Sequence, residues 1–140
     1  MARIDEIAEE VATLMPMIAR RILLGFFQSI DITQTQIFTI MTLFEQSPVR
    51  LSQLSKKLQI SAPTVTGIVD RLEKSGFVKR IPDSKDRRAI NVDLTAQGRL
   101  VAKKLKITLK RKWKVLLNKL PPRDQNNYVG ILRKIQRTMQ

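Results

Sequence analysis

Side chains able to shuttle protons, attack an electrophile or hold a metal are scarce in this sequence. There is no histidine and no cysteine, which removes the commonest general base, the commonest metal ligands and any thiol redox switch or disulfide. The carboxylates are scattered over positions that read as helix caps and surface, with no nucleophile–base constellation among them. No catalytic residue, metal site or cofactor is therefore assigned, and an enzyme is the weakest reading. The chemistry that remains is that of positive charge. The chain carries a formal +14 over 140 residues, yet residues 1–49 are net acidic, so the whole excess falls in 50–140. A basic surface that only keeps a protein dissolved is one explanation. A polyanion partner is the stronger one, because neutralising phosphates releases counterions and drives association.

Two clusters could meet such a partner. The first is a run of small polar groups with one arginine: Ser61, Pro63, Thr64, Thr66, Gly67 and Arg71, with Asp70 among them. Short side chains at the start of a helix approach base edges and phosphates closely, and the free amides and dipole of that end favour phosphate. The second is a charged loop in which Lys79, Arg80, Lys85, Arg87 and Arg88 outnumber Asp83 and Asp86. Arginine at a protruding tip suits the negative potential of a narrow minor groove. Arg87 is the candidate for insertion there, with Lys85 and Arg88 as further contacts. Asp83 and Asp86 are assigned to the loop's shape, Asp86 by pairing with Arg88. A bland alternative is a solvated hairpin whose charges protect its edge.

The elements that must position these clusters follow from periodicity. Ile4, Ile7, Val11, Leu14, Ile18 and Ile22 recur at helical steps, with Pro16 inside the pattern, where it should kink or split the helix. After a break following Phe27, Thr33 and Gln36 have capping-box spacing, and Ile37, Ile40, Met41 and Phe44 supply the face behind them. Ser47-Pro48 stops this helix. A short helix then opens at Leu51-Ser52, with Ser52 as the expected N-cap and Leu54 and Leu58 facing inward. Gln59-Ile60 is a turn. Ser61 caps the next helix, in which Val65, Ile68, Val69 and Leu72 repeat, and Gly76 ends it.

Phe77 to Ile81 can form a strand. Ile90 to Leu94 alternates apolar and polar, the period of a half-buried strand, and the turn-rich 82–89 joins the two as a hairpin. Thr95 caps a long helix with a stripe of Val101, Leu105, Leu109, Trp113, Leu116 and Leu120. Pro121-Pro122 breaks it before a last helix with Tyr128, Ile131, Leu132, Ile135 and Met139 on one side. The fold class is mainly α, about six helices with a β-hairpin. Two short helices, a tight turn and a hairpin make a winged helix-turn-helix: a B-DNA major groove admits one helix, while the ribbon reaches the backbone or minor groove.

The run from Asp83 to Arg88, followed by Val92-Asp93-Leu94-Thr95-Ala96-Gln97-Gly98, resembles the wing-to-helix signature of the MarR family of bacterial and archaeal regulators. Thr64 to Gly76 is similar to that family's recognition helix, and the order of the flanking helices agrees too. The resemblance implies a DNA-binding transcription regulator, usually a repressor, that works as a homodimer built from its first and last two helices. It implies residues 1–30 and 96–140 as dimerisation helices around a DNA-binding domain at 31–95. It also implies release by a small aromatic or phenolic effector in a cleft that Met15, Met17, Phe26, Phe27, Phe38 and Met41 are candidates to line. A Met/Phe cluster at helical spacing is more often plain core, so no ligand site is assigned.

The sequence independently favours a dimer, because three helices with wide apolar faces lie outside the winged segment, more than one small domain covers. Two recognition helices about one DNA turn (~34 Å) apart predict a pseudo-palindromic operator. Nine Lys/Arg fall between Arg99 and Lys119, with no acid from Leu94 to Arg123. They read either as a solvated face or, through Arg99 and Lys103 especially, as added backbone contacts. The acidic start lacks the basic lead of a secretion signal, and the apolar run from Leu14 is interrupted and short for a membrane span. A cytoplasmic protein without membrane partners is expected. Two other function classes stay open: a nonspecific or architectural nucleic-acid binder, and a protein-interaction module on the same scaffold.

Overall fold

A computed structural model of the chain describes residues 2–26 and 30–140. In order, the elements are α1 (Ala2–Leu23), α2 (Gln34–Gln46), β1 (Val49–Arg50), α3 (Leu51–Leu58), α4 (Ala62–Lys74), β2 (Val78–Pro82), β3 (Ile90–Leu94), α5 (Ala96–Leu117) and α6 (Pro122–Thr138). They divide into two compact units, Leu24–Lys106 and the pair of segments Met1–Leu23 and Ile107–Gln140, with the division falling inside α5. The fold is a mainly α winged helix-turn-helix.

In the Leu24–Lys106 unit, α2 begins at a complete capping box: the Thr33 hydroxyl accepts from the Gln36 amide, and the Gln36 side chain accepts from the Thr33 amide at 2.9 Å. Its inward face is Ile37, Thr39, Ile40 and Leu43, while Met41 and Phe44 are only half-buried. The core then adds Leu54 from α3, the full set Val65, Ile68, Val69 and Leu72 from α4, and Val78, Val92 and Leu94 from the sheet. Leu58 is half-buried. Ser52 is not the N-cap of α3. Arg50 holds that position with no side-chain cap, because it is still paired as a strand with Asn91, and the helix starts directly behind it.

The sheet has three strands in the order β1-β3-β2, all antiparallel, so the hairpin gains a short third strand that periodicity does not reveal. Val92 sits at the middle of it, opposite Val49 on one side and Arg80 on the other. Gly76 takes a φ of +82° after α4, and the Phe77 amide reaches the Leu72 carbonyl at 2.9 Å, which closes the helix end and aims the chain into β2. At the other end of the hairpin, the Thr95 hydroxyl donates to the Gly76 carbonyl at 2.6 Å and accepts from the Gly98 amide at 3.1 Å. A Cβ on Gly98 would lie 2.0 Å from the Phe77 carbonyl oxygen. The Leu94-Thr95-x-x-Gly98 signature is thus a fastener between the start of α5, the end of α4 and the base of the wing.

In the other unit, α1 runs unbroken through Pro16. The proline removes one amide donor, and the Ala12 carbonyl it would have served is on an exposed stretch, open to solvent. Trp113 and Tyr128 join α5 to α6 with ring centroids 5.7 Å apart. The Gln125 side chain donates to the Leu117 and Leu120 carbonyls, closing the end of α5, which stops before Leu120. Lys112 Nζ donates to the Ile22 carbonyl at 2.6 Å, a cation at the C-terminus of α1. Ile4, Ile7, Val11 and Leu14 of α1 are exposed, and α6 buries none of its residues. Phe27 and the break expected after it lie outside the described residues.

Candidate nucleic-acid interface

Burial of Val65, Ile68, Val69 and Leu72 fixes which side of α4 faces outward. Ser61, Pro63, Thr64, Thr66, Asp70 and Arg71 are exposed, and Gly67 is half-buried. Ser61 is the N-cap: its hydroxyl accepts from the Thr64 amide and shares a 2.7 Å hydrogen bond with the Thr64 hydroxyl. The Thr66 hydroxyl donates to the Ala62 carbonyl at 3.0 Å, so in this rotamer it presents lone pairs and a methyl group outward. Those are the features that pair with a base amino group or a thymine methyl. A Cβ on Gly67 would meet only the Arg71 guanidinium, at 3.7 Å, so this position keeps the middle of the helix low without being forced to be glycine.

The wing tip is built on carboxylates bonded to backbone. Asp83 Oδ1 accepts from the Lys85 amide at 2.8 Å and the Asp86 amide at 3.3 Å, while Asp83 Oδ2 takes Nε of Arg50 at 3.3 Å. The first of these bonds is the main reason the Asp83 carboxyl lies below the usual carboxylate range. Asp86 does not pair with the Arg88 guanidinium. It accepts from the Arg88 amide at 3.0 Å instead, the short reach of a carboxylate to the backbone two residues on. Among the described residues, Lys85, Arg87 and Arg88 have no acidic partner and are exposed.

Two of the basic residues picked from sequence are otherwise engaged. Arg80 folds back from β2 to Asp70 and to Glu73 Oε1, the latter at 2.8 Å, so it ties the wing's base to the recognition helix rather than projecting. The hydrogen bond to Asp70 is the largest cause of its raised pKa. Arg99 donates to Asp93 at 3.0 Å and Ser47 at 3.3 Å. Lys103 is exposed. Sequence reasoning missed Arg50, whose partner Asp83 is 33 positions away, a pairing with no local signature.

One unit therefore carries an outward helix face of small polar groups and, beside it, a loop tip with three unpaired cations. The MarR family model matches residues 32–90, the stretch from α2 to the wing. The HTH-type transcriptional regulator YfiV of Bacillus subtilis (strain 168), itself uncharacterized, is 32% identical over 109 residues, 75% of this chain. Over this stretch the chain is similar to the MarR family. It spans 66% of the length of that relative, just under two thirds. Similarity of fold extends over nearly all of the chain: the crystal structure of RV1404 from Mycobacterium tuberculosis superposes with a TM-score of 0.87 at 21% identity, covering 96% of this chain and 92% of that one. The Staphylococcus aureus MepR–DNA complex gives 0.70 at 23% identity, covering 91% and 96%. Among the described residues, no cluster of carboxylates could hold a metal and no helix is long and apolar enough to cross a membrane.

Proposed function

We propose that this protein is a sequence-specific transcription regulator, acting as a repressor in the cytoplasm, that binds a pseudo-palindromic operator as a homodimer. Helix α4 enters the major groove through Ser61, Pro63, Thr64, Thr66, Gly67 and Arg71, and the wing brings Arg87, with Lys85 and Arg88, to the minor groove. The observation that carries the reading is the pairing of an exposed, small-polar first half of α4 with a tip whose three cations have no acidic partner among the described residues. The MepR–DNA complex on the same fold supports it. The exposed apolar positions of α1 and α6 support the dimer, with residues 1–30 and 96–140 as its dimerisation helices. The family resemblance supports release by a small aromatic effector.

Selection from a randomised duplex pool, followed by anisotropy titrations at physiological salt, tests the reading. A regulator prefers the selected duplex by ~10³ or more over random sequence. Equal affinity for both would replace it with a nonspecific binder, the alternative that the +14 charge permits.

A further inference from the structure

Between the recognition helix and the wing lies a concavity whose lining includes Arg50 and Ser52 at the start of α3, Thr66 of α4, and Asp86, Arg88 and Ile90 of the wing. We propose that this notch seats a phosphodiester of the DNA strand, with Arg50, Ser52 and Arg88 as its donors. The inference rests on the reading just given. In a B-form duplex the major and minor grooves are separated by one sugar-phosphate strand. If α4 occupies the first and the wing tip the second, that strand must cross the surface between them, and the notch is that surface.

Its chemistry fits a phosphate. Arg50 spends only Nε on Asp83, which leaves the two terminal nitrogens of its planar fork as donors. Among the described residues, the Ser52 hydroxyl has no hydrogen-bond partner and is exposed, and the Arg88 guanidinium has no acid partner. The two carboxylates nearby are turned to other work: Asp83 holds the Lys85 and Asp86 amides, and Asp86 holds the Arg88 amide. Neither Arg50 nor Ser52 stands out in the sequence, since no motif surrounds Arg50 and Ser52 reads as a helix cap. The three-stranded sheet brings Arg50 beside the wing by pairing it with Asn91.

The test uses the full chain and a duplex recovered by selection, with affinity measured against salt concentration. Arg50→Gln should reduce the magnitude of the log–log salt slope by about 0.9 for each notch engaged, and Arg50→Lys should largely restore it. Asp83→Asn, which breaks the same ion pair while leaving Arg50 charged, should keep the wild-type slope. In a methylphosphonate scan, one backbone position should weaken wild-type binding and have no further effect on Arg50→Gln. The inference is overturned if Arg50→Gln keeps the wild-type slope, or if Asp83→Asn loses slope equally, which would make Arg50 a wing brace. It is also overturned if inorganic phosphate, at matched ionic strength, binds the wild type, but not Arg50→Gln, without displacing DNA, since the seat would then belong to a free anion. A protein that binds no duplex at all defeats the proposed function instead.

Discussion

Arg87 is the residue on which the electrostatic reading bears most directly. It is exposed, has no acid partner among the described residues, and sits on a loop whose shape is set by Asp83 and Asp86 rather than by itself. Arg87→Ala should therefore leave the urea midpoint nearly unchanged, as surface changes away from such features do. It should weaken binding to the selected duplex by ~1–3 kcal/mol. Anisotropy titration checks this, and unaltered affinity would remove Arg87 from the interface. Asp83 supplies a pH prediction. Its carboxyl is lowered chiefly by the Lys85 amide, so the order it gives the wing is fully present above its ordinary value of about 3.9 and is lost as pH falls through its lower folded value. Carboxyl NMR should show Asp83 titrating below that value, with amide shifts of Lys85 and Asp86 following it and holding steady from about pH 5 to 8. Titration at or above the ordinary value would mean the backbone bonds are not formed.

At the scale of elements, the fasteners decide whether helix and wing are presented together. Gly98→Ala pushes a Cβ to 2.0 Å from the Phe77 carbonyl oxygen, and overpacking of this kind costs ~1–3 kcal/mol. Urea denaturation should show that loss; an unchanged midpoint would mean α5 shifts freely against Phe77. Ser61→Ala should cost ~1 kcal/mol of stability through the lost cap. Ser52→Ala should cost much less, because Ser52 caps nothing. Such local features were legible in the sequence for a physical reason: a capping box, a glycine after a helix and a period-two strand are all written within a few residues. Thr33 with Gln36, Ser61, Gly76 and the alternation from Ile90 to Leu94 were read that way and were found. What depends on distant partners was not legible. The two-residue strand β1 exists only by pairing with β3, Arg50 meets Asp83 from 33 positions away, and Arg80 reads as a free wing cation until α4 is placed beside it. Ser52 misled because a serine before a helical run is a cap only if the preceding residue is not already held in a strand. Pro16 does not split α1, which continues through it.

For the whole molecule, the proposed dimer would cover the apolar positions left exposed on α1 and α6. Ile135 is exposed in the single chain, so Ile135→Asp should fold and yet sediment as a monomer, with affinity for the selected duplex falling as one half-site contact is lost. A variant that still dimerises would put the interface elsewhere. The central claim, that α4 and the wing grip one face of a duplex through adjacent grooves, is tested most directly by hydroxyl-radical footprinting of the wild-type protein on the selected duplex. The account predicts two protected backbone segments related by a two-fold axis and centred about one helical turn apart, each flanked by a protected minor groove that Arg87→Ala opens. Uniform protection, or a single segment indifferent to Arg87, would contradict it.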